Sequence, residues 1–232
     1  MTTIYITNIN DNISKEKYNE LYNNISPERK EKVQRLKFEA DKKRSIYAES
    51  LLRYALAEQF NLTGEIEFEY NQYGKSSIKG REDIKYNLSH SGDYVVCAVS
   101  NKEIGVDIEE IKHMRLSVAK RFFHEKEYAY LEQHNGAEQE ILFFILWTLK
   151  ESYVKYLGVG LTKEINTFYF EVDDKELTNV VRDSNFKKLI EARLLNASEA
   201  SSLHCYSMIL DGSYALSCIT PENNIDVQQV NF

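Results

Sequence analysis

Short runs in which apolar and polar positions alternate are spread along the chain, separated by stretches with helical spacing. Ile4-Tyr5-Ile6-Thr7, Glu65 to Tyr70, Ile84 to Ser89, Asp93 to Ser100, Ile104 to Glu109, Phe168 to Val172 and Leu203 to Thr220 read as strands. His90-Ser91-Gly92 joins two of them as a hairpin with His90 at its tip, and Asp211-Gly212 turns the last run back on itself. Ser14 caps a short helix through Tyr22. Ser26-Pro27-Glu28 starts another, with a capping serine, proline at the first helical position and an acid at the positive end of the helix dipole. Longer amphipathic patterns cover Glu39 to Phe60, Leu116 to Phe123, Glu125 to Glu132 and Ala137 to Leu157.

The pattern repeats. At an offset of 102 residues, Ile4-Tyr5-Ile6-Thr7 lies on Val106-Asp107-Ile108-Glu109, Glu49-Ser50-Leu51-Leu52-Arg53-Tyr54 on Glu151-Ser152-Tyr153-Val154-Lys155-Tyr156, and Phe68-Glu69 on Phe170-Glu171. At an offset of 120, Gly92-Asp93-Tyr94 lies on Gly212-Ser213-Tyr214, so the second copy carries an insertion of 18 residues. The expected fold is α+β, with two similar pseudo-symmetric lobes, residues 1–102 and 103–232, each a small antiparallel sheet packed on helices. The copies differ where chemistry is expected: Tyr5 and Thr7 stand in the places of Asp107 and Glu109, and Leu210 in the place of His90. One asymmetric site between the lobes follows more naturally than two.

With 232 residues, 43% of them hydrophobic and 28% charged, the chain can bury a substantial core. It holds no apolar run of about 18 residues, and its N-terminus lacks a basic region followed by an apolar one, so a membrane protein and a secreted one are not expected. The expected location is the cytoplasm. A net charge of −7 argues against a partner held by bulk attraction to nucleic-acid phosphates. Cys97, Cys205 and Cys218 lie far apart in apolar runs and read as reduced, buried thiols, and the five histidines lack zinc-site spacing.

On a strand, Asp107 and Glu109 project from one face; on a helix, Glu151 and Lys155 stand one turn apart. Three carboxylates and an ammonium meeting in one place would suit a magnesium ion carrying a phosphate chain. Each acid alone reads first as a solvated surface group, and it is their apolar surroundings that point elsewhere, while Lys155 reads also as a salt-bridge partner of Glu151, as Arg53 does of Glu49. His90 reads equally as a plain turn residue. Solvated helix faces are the default for Arg29, Lys32 and Arg44. Lys112 to Arg121 holds four basic residues, no acid and interleaved apolar positions, either as a solubilising face or as a dock for an acidic helix.

Ile104-Gly105-Val106-Asp107-Ile108-Glu109 combined with Trp147-Thr148-Leu149-Lys150-Glu151-Ser152-Tyr153-Val154-Lys155 resembles the 4′-phosphopantetheinyl transferases. Asn87-Leu88-Ser89-His90-Ser91-Gly92, Tyr73-Gly74-Lys75 and Arg121-Phe122-Phe123 extend the likeness over nearly the whole chain, toward the two-lobed, surfactin-type branch. The resemblance implies transfer of the phosphopantetheine arm of coenzyme A to a serine of an apo acyl, peptidyl or polyketide carrier protein, releasing 3′,5′-ADP. It implies Mg²⁺, or Mn²⁺ in its place, on Asp107, Glu109 and Glu151, with Asp107 also facing the coenzyme. Lys155 would stabilise the leaving group, and Glu151 or a metal-bound water would take the serine proton. Ser89 and His90 would contact phosphates, while Tyr73, Gly74 and Lys75 would line the adenine and 3′-phosphate region, with Arg29, Lys32 and Arg44 adding positive charge. The carrier would dock near Lys112 to Tyr128, on a monomer. Ser76 stands where the family often has proline, and Arg29 where lysine is usual. A non-catalytic coenzyme A binder and a hydrolase of nucleotide diphosphates are the rival readings.

Overall fold

The computed structural model describes every residue except 12, 161–163, 174 and 179–188. Its strands are β1 (Thr2–Asn8), β2 (Phe68–Tyr70), β3 (Ser76–Ile78), β4 (Lys85–Ser91), β5 (Tyr94–Ser100), β6 (Gly105–Glu110), β7 (Tyr169–Val172), β8 (Ile190–Leu195), β9 (His204–Leu210), β10 (Tyr214–Thr220) and β11 (Ile225–Gln229). The helices are α1 (Lys15–Asn24), α2 (Pro27–Arg35), α3 (Glu39–Phe60), α4 (Leu116–Phe122), α5 (Glu125–Leu131) and α6 (Gly136–Leu157). One sheet has the order β11-β1-β5-β4, the second β6-β10-β9-β8-β7, and β2 pairs with β3 in a separate ribbon. The fold is α+β, with small, largely antiparallel sheets packed on helices.

The repeat is visible in three dimensions. The segment β1-β5-β4 has the same neighbour order as β6-β10-β9, and α3 and α6 are both 22 residues long. Each ends on a left-handed residue, Asn61 at φ 50° and Gly158 at φ 66°, because a left-handed cap lets the next amides reach back to the last helical carbonyls. Ser14 and Ser26 cap α1 and α2 by accepting from the Lys17 and Arg29 amides.

Each lobe has its own core, and a third core lies between the two sheets. Ile4, Ile6, Val96 and Ala98 from the first sheet meet Val106, Ile108, Leu216 and Cys218 from the second, while Tyr5 and Cys97 point the other way into the first lobe's core. The strand period of two thus buries both faces of β1 and β5. The three cysteines are free and buried, and burial pushes the Cys205 thiol up to about 12. In the second lobe a fully buried ion pair, Lys150 Nζ to Glu127 Oε2 at 2.7 Å, ties α6 to α5. Lys150 also donates to the Ile165 and Phe168 carbonyls, and Glu127 accepts from the Phe170 amide, so the pair is hydrogen-bonded on both sides.

Three features differ from the sequence reading. His90 is not at a turn: β4 continues to Ser91, His90 pairs with Val95, and the two-residue turn is Gly92-Asp93. The run from Glu65 is a strand only from Phe68, and β3, β8 and β11 were not foreseen. Strand β11 runs parallel to β1, with Ile225 opposite Thr2, and the Val230 amide donates to the Ile6 carbonyl at 2.8 Å. Val230 and Phe232 then pack in the first lobe's core, so the end of the 103–232 segment closes the first sheet rather than the second. The 18-residue insertion falls between β7 and β9, partly outside the described residues.

Candidate active site

The edge strand of each sheet, β4 and β6, meets the other at a seam made by side chains. Asn87, Ser89 and Ser91 alternate along β4 and therefore share one face. Asn87 Oδ1 accepts from the Val106 amide at 3.0 Å, Ser89 Oγ from the Ile108 amide at 3.4 Å, and Ser91 Oγ from the Glu110 amide at 3.1 Å. The outer amides of β6 are thus satisfied without a further strand, which protects an edge that would otherwise invite pairing. The two serines also donate to acids of β6, Ser89 to Asp107 Oδ1 at 2.7 Å and Ser91 to Glu109 Oε2 at 2.8 Å. Asn87 and Ser91 were not singled out from sequence, although a polar residue at every second position of Asn87-Leu88-Ser89-His90-Ser91 is the signal that marks such a face.

Helix α6 crosses β6 at Gly105, where a Cβ would lie 1.9 Å from the Ser152 carbonyl oxygen and 2.5 Å from the Tyr156 amide nitrogen. Only glycine permits that approach, and it brings Glu151 and Lys155 over the acids of the strand. Lys155 pairs with Asp107 on the strand rather than with Glu151 on its own helix: Nζ is 2.6 Å from Asp107 Oδ1 and donates to Ser89 Oγ at 3.0 Å and to the Val106 carbonyl at 3.2 Å. In the first lobe the equivalent glutamate is fully served. Glu49 accepts from the Ser26 amide and hydroxyl, from Arg53 and from Arg29, so the acid at this helix position is neutralised in the first copy.

Burial, then repulsion from Asp107, raises the Glu151 carboxyl above the usual range; burial, with repulsion from Asp107 acting in the same direction, also raises Glu109. Asp107 is 4% exposed, and its Oδ2 is buried without a hydrogen-bond partner. An orphaned carboxylate oxygen beside two acids that resist ionising together fits a divalent cation, which would supply the missing partner and offset the repulsion. Among the described residues, no three acid, histidine or cysteine side chains stand ready as a metal cage.

The seam opens into a cleft of about 810 Å³ lined by Arg29, Lys32, Ser89, His90, Asp107, Glu109 and Lys155. Arg29 and Lys32 share a face of α2, and burial, then the Arg29 charge, lowers the Lys32 pKa. Burial and then the Arg44 charge also lower His90, which favours a neutral ring at pH 7. Arg44 itself does not line the cleft; it donates to the Gly92 carbonyl at 2.7 Å and pairs with Asp41, holding the β4–β5 turn. A contiguous pocket of about 340 Å³ is lined by Tyr73, Gly74, Lys75, Glu151 and Lys155 among others.

Residues 103–218 match the family model of the 4′-phosphopantetheinyl transferase superfamily, and residues 12–102 match that of its N-terminal domain. The chain belongs to this superfamily. It is 34% identical over 213 residues to the 4′-phosphopantetheinyl transferase gsp of Aneurinibacillus migulanus, covering 90% of this chain and 88% of that protein. Over 157 residues it is 37% identical to the transferase Sfp of Bacillus subtilis, covering 67% of this chain and 70% of that protein. Psf-1 of Bacillus pumilus is 35% identical over 166 residues, 71% of each chain. Among the described residues, no helix is long and apolar enough to cross a membrane.

Proposed function

We propose that this transferase moves the 4′-phosphopantetheine group of coenzyme A onto a serine hydroxyl of an apo carrier protein, with Mg²⁺ and with release of 3′,5′-ADP. The observation that carries this reading is the Ser89–Asp107–Lys155 network at the seam, with an orphaned Asp107 Oδ2 and two neighbouring acids of raised pKa, beside a cleft of mixed charge that offers Arg29, Lys32 and Arg35 as well as Glu28 and Glu31. Arg29, Lys32 and His90 line the volume a nucleotide with several phosphates needs, and Tyr73 and Gly74 line the adjoining pocket. Mg²⁺ or Mn²⁺, held by Asp107, Glu109 and Glu151, would neutralise charge on the diphosphate.

The protein's own part is positioning and proton handling. The serine oxygen attacks the phosphorus next to the pantetheine arm, and the bond from that phosphorus to the bridging oxygen of ADP breaks. Lys155, fixed by three acceptors, sits where it offsets the charge that gathers on that oxygen. Glu151, one helical turn from Lys155 on α6, is the carboxylate that would take the serine proton. Lys112, Arg115, Lys120 and Arg121 are exposed beside the exposed Leu116, which supports docking of an acidic carrier helix between Lys112 and Tyr128. Three reduced, buried cysteines support a reducing compartment such as the cytoplasm.

The test is a mixture of the protein, coenzyme A, Mg²⁺ and an apo carrier domain, followed by the intact mass of the carrier. A gain of one phosphopantetheine arm supports the transferase. An unmodified carrier beside intact coenzyme A points to a binder, and beside cleaved coenzyme A to a hydrolase; either overturns the proposal.

A further inference from the structure

Lys75 does not line the larger cleft. Its ammonium donates to Glu103 Oε2 and to the Tyr156 carbonyl, both at 3.0 Å. Tyr156 lies in the last turn of α6, where exposed carbonyls and the helix dipole favour a cation. Two further contacts reach the same helix end. Asn71 Nδ2 donates to the Gly158 carbonyl at 2.9 Å, and Gly158 lies so close to the Lys75 side chain that a Cβ there would meet Lys75 Cδ at 2.8 Å. Asn71 also builds the turn itself, its Oδ1 accepting from the Tyr73 and Lys75 amides at 2.9 Å. Glu103, in the segment joining the lobes, additionally takes Lys85 Nζ at 3.0 Å. Burial pushes its carboxyl upward, but Lys75 and Lys85 outweigh that and hold it below the usual range.

From these contacts we infer that Asn71, Lys75 and Glu103 form a latch between the lobes, in which Lys75 acts as a positioning residue and not as a phosphate ligand. The latch pins the 71–75 turn to the C-terminal end of the helix that carries Glu151 and Lys155. The pocket of about 340 Å³ has that turn on one side and α6 on the other, so the latch sets its width. The inference rests on coenzyme A being the occupant. It differs from a direct phosphate contact in one respect: Glu103, an acid with no attraction for a phosphate, becomes as important for coenzyme binding as Lys75.

The test compares Lys75→Met, Glu103→Ala, the double variant and Lys75→Arg, by calorimetric titration with coenzyme A and with its analogue lacking the 3′-phosphate. The latch gives each single variant a loss of roughly 5- to 20-fold, the same for both ligands. The double variant then loses clearly less than the two single losses combined, because the Lys75–Glu103 pair is common to both, and Lys75→Arg recovers most of the affinity. If Lys75→Met loses affinity only for the ligand bearing the 3′-phosphate while Glu103→Ala binds like wild type, the latch is wrong and Lys75 is a phosphate ligand. Hydrogen exchange of the ligand-free protein supplies a readout independent of coenzyme A. Amides of residues 73–75 exchange several-fold faster in both single variants if the latch exists, and unchanged exchange overturns it whatever happens to binding. A wild-type protein that binds neither ligand overturns the coenzyme reading itself, and that result is distinct from unchanged exchange.

Discussion

Gly105→Ala tests how the site is held together without touching a reacting group. The new Cβ would lie 1.9 Å from the Ser152 carbonyl oxygen, against an ordinary contact of at least 3.4 Å, so about 1.5 Å must be found. Both nearest atoms, Ser152 O and Tyr156 N, are backbone in the last two turns of α6, and neither can rotate away. The helix itself must retreat from β6, and it carries Lys155 away from Asp107, now 2.6 Å apart, together with Glu151. A displacement of that size at a positioned catalytic group costs on the order of 100-fold in rate. The same overpacking costs about 1–3 kcal/mol of stability, a Tm drop of roughly 5 °C for a chain of this length. The assay is kcat/KM for carrier modification alongside a thermal melt. A variant within threefold of wild-type turnover and with unchanged Tm would refute the claim that this close approach builds the site.

Two other outcomes concern the scaffold. Lys150→Met strands the Glu127 carboxylate in a fully buried place, and the expected loss is about 3–5 kcal/mol, roughly 10 °C in Tm; adding Glu127→Leu should recover much of it, and a double variant no better than the single would contradict the reading. Glu103 is held below its ordinary value of 4.5 by Lys75 and Lys85 after burial is counted. A depressed folded pKa gives stabilisation that is complete above the ordinary carboxylate range and lost as pH falls through the lower folded value. Glu103→Gln should therefore melt below wild type at pH 7 and converge with it as pH falls below the ordinary carboxylate range, which melts across pH check directly; a constant gap would contradict the assignment.

Much of the scaffold was legible because its signals are local. Serine caps, the proline at the start of α2 and the apolar periods of α3 and α6 each act over one turn, and those helices lie where the pattern put them. The duplication carried the rest, since two copies that align in register also share their sheet order. What was hidden is non-local. Nothing in Ile225 to Gln229 announces a parallel partner at Thr2, more than two hundred residues away. A helical spacing shows that Glu151 and Lys155 are neighbours, but not that Asp107, buried and opposite, takes the ammonium instead. The resemblance put both Lys75 and Arg44 near the coenzyme's phosphates, and in space Lys75 donates to Glu103 while Arg44 donates to the Gly92 carbonyl at a turn. Asp107 and Glu109, absent from the first copy, lie on a strand as their alternation indicated, and the serines of β4 that meet them came only with the structure.

The central claim is that this seam, with Asp107 at its centre, is where the phosphopantetheine arm is transferred. The most direct measurement is a time course of carrier mass with coenzyme A and Mg²⁺, for the wild type and for Asp107→Asn, which keeps the shape and removes the charge. The wild type should convert the apo carrier to the form bearing one arm, while Asp107→Asn, folded by its melt, should leave it at least 100-fold slower. Equal rates for the two proteins, or no conversion by either, would contradict the account.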